Sequence, residues 1–598
     1  MREEFVISNF DEFCVPKSEL SEKRVKNKWC MVPYETGTYW GKMLCSFDES
    51  PEDLELNIDL TGWYKIYVCL LMYEGNTVNI KLSSDDSFFK LASRGKGWGA
   101  DELEEAFWRC ADMTGNKICI SRKRLVYGSN SNIAWIRFVP MTEAEVADWK
   151  NYFSKPENKR LYATDDIHNK LFREKIQSMK DWNICARQYA DSDVGWLSLE
   201  NIKPITSGAC ATGDIETSSF GRVNDRNVQE QVGVWYNDKA LSNIIETAHS
   251  MGIKICSSMR AGAWGMGFPY TQSYFVNDFA EENPQLRCVD RDGQVVDALS
   301  YAYPETQDYM ISDFVHMAKL GFDAVAPIFH RGIPYVLFEK PVVDRFYELY
   351  GEYPYELPLD DERLNQLHCD IMTEFMQRLR NALDEATGKN KTEIHARVMF
   401  SVYDSKCVGL DLERWSKEGI VSSIISYPQR IYELLDGDIW KEGSRNRIDL
   451  KKYSDYFAHT LNPALMTRCD FKNFIEPYEN YCGKICGPKS LKERIQEFMD
   501  LERKYGTKIY IEIMPRIMTA EEYKECAVTL YEAGAERLSL WDTYERVTHS
   551  SMWSMVRRSG HKEEIKGFTS GENEFHRRIK IIRIAGKYEN RYKTYFGG

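Results

Sequence analysis

Short runs of alternating apolar and polar residues fill the first 150 positions of the chain. The β-rich runs are separated by Gly, Asn and Asp; they read LELNIDL, GWYKIYVCLLMY, TVNIKLSS, NKICISRKRLVYG and IAWIRFVPM. This spacing predicts a β-sandwich domain over residues 1–150. The segment 141–154 then has a helical capping pattern, with Thr142 as N-cap and Glu145 three residues later. We place the domain boundary at this helix.

From about residue 160 the pattern changes to apolar runs that alternate with longer amphipathic segments. The eight runs that we interpret as strands are 194–200, 252–260, 322–330, 393–404, 419–428, 463–470, 507–516 and 537–543. Eight strands alternating with helices favour an α/β fold, a (β/α)8 TIM barrel over residues 160–570, rather than an open doubly wound sheet. The remaining segment, 571–598, is a C-terminal extension that could add one strand to the N-terminal domain.

Charge and composition limit the kinds of molecule that the chain is expected to bind. The 598 residues carry a net charge of −13, which disfavours nucleic acid. No apolar run approaches the roughly 18 residues of a membrane span, and the N-terminus shows no secretory signal. The 16 cysteines are scattered, and many lie in apolar runs, as buried thiols do in a reducing compartment. We therefore expect a cytoplasmic protein without a membrane partner. The oligomeric state stays open, with a homo-oligomer as one option.

The chemistry of a barrel enzyme lies at the carboxyl ends of its strands. Glu512 is the sharpest candidate there, because it interrupts the apolar run IYIEIMP near the end of the seventh predicted strand. A carboxylate facing a barrel interior costs several kcal/mol unless it is paired or used. The alternative to a catalytic role is a structural ion pair with Arg516 or Arg468.

Two further carboxylates are catalytic candidates. Glu339 lies in the long loop after the run 322–330, beside Phe338, which would raise its pKa, and Lys340, which would lower it. Capping or surface exposure is its alternative. Asp542 follows the last predicted strand and could bind hydroxyls or serve as a helix N-cap.

Side chains suited to binding a sugar follow other strands. These candidates are Arg260, Trp264, His330, Arg331, Asp404 and Trp541. Glu200 and Asp470 also end predicted strands. The sequence has no HExxH motif, no matched pair of CxxC-type motifs and no GxSxG motif, so we expect neither a metal nor a serine nucleophile. GxGxxG and GxxxxGK[ST] are absent too, and no cofactor is expected.

Several segments resemble glycosyl-hydrolase-like family ten proteins. AHSMGIKICSSMRAGAW is similar to the helix and strand that open the barrel in that family, and ENPQLRCVDRDGQVVDALSYAYPETQDYMISDFVHMAKLGFDAVAPIF is similar to the stretch that follows. The loop FEKPVVDRFYELYGEYPYELPLDDER is similar to one in bacterial members. The resemblance covers roughly residues 180–430 and implies a barrel hydrolase with two carboxylates and an appended β-sandwich.

The chain departs from this pattern at one strand and follows it at another. The run FDAVAPIFH ends in Phe329 and His330, where many members of the wider group carry an acid, and no acid follows until Glu339. Glu512 matches the strand-seven glutamate that is the nucleophile in related barrel glycosidases.

These observations predict a glycoside hydrolase that acts on an oligosaccharide or glycoside. Glu512 would be the nucleophile or base, and Glu339 would be the general acid. Asp542 is the third candidate and could serve in either role. Two alternatives remain: a non-catalytic carbohydrate-binding barrel, and another barrel enzyme, such as a lyase or isomerase, acting on a sugar. In the N-terminal domain, Trp40, Trp63 and Trp98 could be sugar platforms, although buried core is the usual fate of such residues.

Overall fold

The structure is a computed structural model that describes most of the chain. The described residues are 3–46, 51–73, 75–93, 102–122, 130–167, 170, 174, 176–200, 235, 237–262, 278–291, 293, 295–330, 334–357, 361–399, 401–427, 491–513, 518–541, 543–568 and 575–584.

The N-terminal part is built from short strands, most of which pair antiparallel. They are β1 (Phe5–Ile7), β2 (Cys14–Val15), β3 (Leu20–Ser21), β4 (Trp29–Thr36), β5 (Trp40–Ser46), β6 (Leu54–Leu56), β7 (Trp63–Leu71), β8 (Thr77–Leu82), β9 (Phe89–Ala92), β10 (Glu102–Asp112), β11 (Ile118–Ser121) and β12 (Ser131–Pro140). Two sheets result: an eight-stranded sheet that includes β1, β12, β5, β4, β10 and β7, and a five-stranded sheet in the order β2-β6-β11-β8-β9.

The two sheets share one hydrophobic core. Ile66 and Val68 of β7 meet Ile80 of β8 and Ile120 of β11 in this core. Side chains alternate between the two faces of a strand, and Cys69 of β7 accordingly belongs to a different cluster on the other face. Trp40 is 76% exposed, so one of the tryptophans considered as a sugar platform lies at the surface.

The second part is a closed barrel of eight parallel strands, which confirms the predicted barrel. Its strands are β13 (Leu161–Asp166), β14 (Val194–Glu200), β15 (Lys254–Arg260), β18 (Ala324–Ile328), β19 (Glu393–Val398), β20 (Ser423–Ser426), β21 (Lys508–Glu512) and β22 (Leu538–Leu540). A hairpin of β16 (Arg287–Val289) and β17 (Val295–Leu299) is inserted after β15.

The strand that opens the barrel differs from the prediction. β13 pairs with β22 and with β14 and so closes the barrel, whereas the sequence pattern began the barrel at 194–200. The run LYATDD was not recognised because its apolar part is short and two aspartates end it. The predicted strand 463–470 lies outside the described residues.

Helices surround the barrel and border the N-terminal domain. They are α1 (Phe10–Phe13), α2 (Glu143–Ser154), α3 (Ile184–Arg187), α4 (Asp238–Ser250), α5 (Asp278–Glu282), α6 (Pro304–Leu320), α7 (Lys340–Tyr350), α8 (Glu362–Thr387), α9 (Val402–Cys407), α10 (Leu412–Lys417), α11 (Leu491–Tyr505), α12 (Ala520–Glu532), α13 (Thr543–Thr548) and α14 (Ser550–Val556). The predicted capping box of α2 is confirmed, because Thr142 accepts from the Glu145 N–H and Glu145 accepts from Thr142. Among the described helices, none has the length and apolar character needed to cross a bilayer.

A last strand, β23 (His576–Ile584), returns to the N-terminal domain. It lies in the eight-stranded sheet between β10 and β4 and pairs antiparallel with both. The chain therefore crosses from the N-terminal sheets to the barrel and back again.

Candidate active site at the barrel mouth

The alternation of side chains along the barrel strands decides which polar groups point inward. Tyr162 of β13 and Trp196 of β14 belong to a cluster inside the barrel, whereas Ala163 and Leu197 belong to the core shared with the helices. Side chains two residues further along a strand face the same way. Asp166 and Glu200 therefore project inward at the carboxyl ends of β13 and β14.

Asp166, Glu200 and Arg260 form one charged group. Asp166 and Glu200 are direct partners in the parallel register of β13 and β14. Arg260, at the end of β15, donates from Nε to Glu200 Oε1 at 2.9 Å and places Nη2 3.9 Å from Asp166 Oδ2. The Glu200 side chain is fully buried, whereas those of Asp166 and Arg260 are 12% and 23% exposed. A molecule entering the mouth would meet Asp166 and Arg260 before Glu200.

Glu512 occupies the interior end of β21 and is surrounded by donors. Its Oε2 accepts from Arg397 Nη1 at 3.1 Å and from Ser539 Oγ at 2.7 Å. Its Oε1 accepts from the Trp541 backbone N–H, and Arg546 Nη1 lies 3.7 Å from the same oxygen. Glu512 thus forms ion pairs with Arg397 and Arg546. The partners considered from the sequence, Arg516 and Arg468, lie outside the described residues.

An aromatic cluster lines the same end of the barrel. The His330 ring stacks on Tyr427 at 3.9 Å with planes 20° apart, and it meets Trp541 edge-on at 4.6 Å. The Arg397 guanidinium lies 4.5 Å from the centre of the Trp541 ring. His330 and Trp541 are completely buried. The predicted binding residues His330 and Trp541 are therefore brought together with Glu512, and both are packed against other side chains.

Glu339 lies in a different environment. It immediately precedes α7, is fully buried, and accepts from the Leu337 N–H at 2.8 Å. Burial raises the pKa of Glu339 to about 7, although hydrogen bonds from Ser300, Leu337 and Cys288 oppose this shift. Lys340 does not lower this pKa, because its side chain is 81% exposed and pairs with Asp344. The hydrogen-bond partners of Glu339 and those of Glu512 are different residues.

Of the other predicted site residues, the structure describes only the backbone of Asp404, which lies in α9. Trp264, Arg331 and Asp542 lie outside the described residues, as does Asp470. Among the residues that the structure does describe, no three potential metal ligands come together.

The sequence pattern overlooked two residues that contribute to this site. Asp166 was overlooked together with β13, although its position at the end of an apolar run is the same signal that singled out Glu200. Arg397 is the buried, penultimate residue of the EIHARV run, and its Nη2 donates to Thr164 of β13 while Nη1 donates to Glu512. A buried arginine inside a barrel strand was the available signal for it.

Comparisons with known proteins give only distant similarities. No family model matches the chain, and no curated protein sequence matches it. A β-galactosidase from the psychrophilic Marinomonas ef1 aligns over 68% of this chain and 59% of its own, with 10% identity and a TM-score of 0.38. The catalytic domain of a β-amylase from Paenibacillus polymyxa aligns over 68% and 97%, with 9% identity and a TM-score of 0.37. The PgaB glycoside hydrolase domain from Bordetella bronchiseptica aligns over 65% and 98%, with 10% identity and a TM-score of 0.36.

The chain thus spans 59% of the length of that β-galactosidase. Because these similarities are so distant, the fold assignment rests on the closed barrel itself.

Proposed function

We propose that this protein is a glycoside hydrolase that cleaves an oligosaccharide or glycoside at the mouth of its barrel. The observation that carries the proposal is the set of inward-facing carboxylates at the carboxyl ends of three barrel strands, Asp166, Glu200 and Glu512. Glycoside hydrolysis requires two carboxyl groups that flank the scissile bond. The partly exposed Arg260 guanidinium lies against two of these carboxylates and could bind sugar hydroxyls, whereas the buried Arg397 holds Glu512 in place.

Glu512 is assigned the role of nucleophile or base. The guanidiniums of Arg397 and Arg546 lie within 4 Å of its carboxylate. For direct attack on a sugar, one of its present donors must give way, and the 3.7 Å contact with Arg546 is the longest of them.

The general acid is assigned to the pair of Asp166 and Glu200. Their carboxyl groups lie side by side on adjacent strands, with Arg260 against both of them. Asp166 is the more exposed of the two and is the better placed to meet a leaving group. Glu339 and Asp542 remain candidates for the same role, and Glu339 has the raised pKa that a general acid needs.

Substrate binding would involve the aromatic cluster and the loops around it. Arg260, whose side chain is 23% exposed, could bind the hydroxyls of a sugar. The buried His330 and Trp541 could stack on a sugar ring only after the side chains packed against them move. Trp264, Arg331 and Asp404 are further candidates on segments that follow barrel strands. We also propose that the protein is cytoplasmic and related to glycosyl-hydrolase-like family ten, and that its two N-terminal sheets form a β-sandwich accessory domain.

A panel of aryl glycosides and oligosaccharides tests this proposal. Wild type would be compared with Glu512→Gln, Asp166→Asn, Glu200→Gln and Glu339→Gln, each close in shape to the residue it replaces. We expect wild type to release sugar. The kcat should fall by about 100-fold or more in Glu512→Gln and in one of the two variants of the pair, Asp166→Asn or Glu200→Gln. Unchanged kcat in Glu512→Gln would remove that residue from the mechanism. A comparable loss in Glu339→Gln, with the pair variants active, would return the acid role to Glu339.

A carbohydrate-binding barrel without hydrolytic activity is the second candidate. It is favoured by His330 at the end of β18, where the resemblance leads us to expect an acid, and by the four donors around Glu512. Sugar binding by wild type without turnover of any substrate would support it.

A further inference from the structure

A cavity lies where the N-terminal sheets meet the barrel, and we call it the junction cavity. Its wall includes Phe89 of β9 and Trp108 of β10 on one side, and Trp553 of α14 and the following Arg557 on the other. The cavity has a volume of about 100 Å³. One water molecule needs roughly 10–15 Å³ of such space, so several water-sized groups fit. The junction cavity therefore has the size of a small ion or a small organic acid, and it is too small for a polymer segment or a protein.

Arg557 brings a buried positive charge to the junction cavity. It is 3% exposed, and its guanidinium donates to the backbone carbonyls of Ala190, Asp191 and Trp108. These bonds use three of the five N–H groups of a guanidinium. Among the described residues, no carboxylate hydrogen-bonds to Arg557 or forms an ion pair with it, although Asp191 attracts it electrostatically. Carbonyls, and the Phe107 ring at 5.2 Å, do not neutralise a buried charge, so the guanidinium favours an anion.

The other charges around the junction cavity leave a small excess of positive charge. The wall carries four cationic side chains, Lys90, Arg109, Arg187 and Arg557, and two acidic ones, Asp85 and Asp191. Arg109 Nη1 donates to both carboxylate oxygens of Asp85, at 3.0 and 2.8 Å. Arg187 pairs with the neighbouring Asp86 at 3.3 Å. With Asp86 included, four cations still face three acids, and this balance attracts an anionic ligand.

Trp108 adds a second donor to the wall. It is 6% exposed, and within the part of the chain that the structure describes its buried Nε1–H makes no hydrogen bond. A buried donor without an acceptor is costly, and it marks a place where a ligand could accept. Arg557 donates to the carbonyl of this same residue, so the indole and the guanidinium belong to neighbouring parts of the wall. An oxyanion has the charge that Arg557 favours and the acceptor that the indole N–H needs.

We propose that the junction cavity binds a small oxyanion, a phosphate or carboxylate group, that accepts hydrogen bonds from Arg557 and Trp108. Both groups match the planar fork of a guanidinium. One donor belongs to β10 of the N-terminal domain and the other follows α14 of the barrel, so the bound anion holds the two parts of the molecule together. The site shares no residue with the carboxylates of the barrel mouth, and the proposal does not depend on the hydrolase function.

Isothermal titration calorimetry of the full-length protein tests the proposal. The probes are inorganic phosphate, sulfate, acetate and succinate, each titrated in the millimolar range into a chloride buffer. Sodium chloride at the same ionic strength is the reference, because phosphate and sulfate also stabilise proteins by exclusion from their surface. The variants are Trp108→Phe, which keeps a ring but removes the indole donor, and Arg557→Gln.

Arg380→Gln is the matched control for the loss of a buried arginine. Arg380 is 7% exposed, donates to the Thr392 carbonyl at 2.9 Å and pairs with Asp384, and it does not line the junction cavity. Thermal unfolding verifies that each variant is folded. If Arg557→Gln does not fold, Trp108→Phe decides.

We expect at least one oxyanion to bind saturably to wild type and to Arg380→Gln. Trp108→Phe and Arg557→Gln should bind it about tenfold or more weakly, because each loses a hydrogen bond to a charged group. Binding of phosphate and sulfate alone would identify a tetrahedral oxyanion, and binding of acetate or succinate alone a carboxylate. No saturable binding to wild type, or wild-type affinity in Trp108→Phe, overturns the proposal. Equal weakening in Arg380→Gln would trace the loss to general destabilisation and also overturns it.

Protease cleavage between the two parts of the molecule tests where the anion binds. A saturating oxyanion should slow this cleavage in wild type and have a much smaller effect in Trp108→Phe at the same concentration. An unchanged cleavage rate in wild type at saturation would place the anion away from the junction and overturns the proposal.

Discussion

Arg397 and Glu512 meet inside the barrel, with Nη1 3.1 Å from Oε2 and both side chains buried. The two residues are on β19 and β21, which are separated by β20. Arg397 also donates to Thr164 on β13. The arginine therefore connects three strands through the interior and sets the position of the carboxylate that we assign to catalysis.

Arg397→Met should destabilise the protein strongly. The change leaves Glu512 buried with one charged partner fewer, which typically costs about 3–5 kcal/mol of unfolding free energy. Urea unfolding followed by circular dichroism measures the effect. Arg363→Met is the control: Arg363 pairs with Asp361 and Glu352 at the surface, and its loss should shift the unfolding midpoint far less, because exposed ion pairs contribute little to stability. If the two variants unfolded at the same urea concentration, the buried pair would not stabilise the barrel.

Glu339 should make stability depend on pH between about 4.5 and 7. Its folded pKa, about 7, lies above the ordinary value of 4.5, so the buried protonated form is favoured. Relative to an uncharged side chain, its contribution is fully present below pH 4.5 and is lost as pH rises through 7, by about 3 kcal/mol. Glu339→Gln should lose less stability than wild type over this range. Denaturant unfolding of both proteins at several pH values gives the difference, and parallel curves would contradict a buried titrating carboxyl.

His368 on α8 should make stability depend on pH in the opposite direction to Glu339. Burial lowers the pKa of His368 to about 4, and its side chain hydrogen-bonds the backbone of Leu337, the residue whose N–H donates to Glu339. A lowered pKa gives stability that is present above the ordinary value of 6.5 and lost as pH falls through 4, by about 3 kcal/mol. His368→Gln should flatten this acidic limb in the same unfolding series. An acidic limb identical to that of wild type would assign it to other groups.

The sequence predicted the barrel well because most of its strands lie in apolar runs that alternate with amphipathic segments. Seven of the eight strands correspond to predicted runs, and Glu512 lies at the end of the seventh strand, as expected. β13 was missed because LYATDD is short and half polar at its end. Asp166 was lost with it, and the pairing of Asp166 with Glu200 depends on a register that only the folded barrel shows.

The partners of the candidate carboxylates could not be predicted from local patterns. Arg397 is 115 positions from Glu512 along the chain, and the two meet only because the barrel closes. Glu339 was interpreted from its neighbours Phe338 and Lys340, yet Ser300 and Cys288, about 40 and 50 positions away, are among its hydrogen-bond partners. Long-range contacts of this kind have no counterpart in periodicity or spacing.

Arg557→Lys should loosen the junction between the two parts of the molecule. The buried Arg557 guanidinium donates to the carbonyls of Ala190 and Asp191 in the barrel, at 2.9 and 2.8 Å, and to that of Trp108 in β10, at 3.2 Å. A lysine cannot reproduce three divergent donors, and we expect a loss of about 2–4 kcal/mol. Protease cleavage between the two parts should also become faster. Arg345→Lys, at an exposed ion pair with Glu374 on the barrel helices, is the control; the same cleavage rate in both variants would show that Arg557 does not hold the junction.

Removal of β23 should unfold the N-terminal domain while the barrel survives. A chain that ends at Phe568 loses the strand that pairs with β10 from Glu102 to Ala106 and with β4 from Tyr34 to Thr36. It also loses the ion pair of Arg577 with the buried Glu105, at 2.8 Å. Because β23 joins β4 to β10, its loss leaves a long unpaired edge on both strands, although β7 and β12 still pair with each other. The cost should be a large part of the stability of a small domain, about 5 kcal/mol or more. Limited proteolysis followed by mass spectrometry should show cleavage within residues 1–140 and a protected barrel.

A chain that ends at Ile584 keeps β23 and should resist proteolysis as the full chain does. Equal protection of both truncated chains would show that the N-terminal sheets are stable without the returning strand.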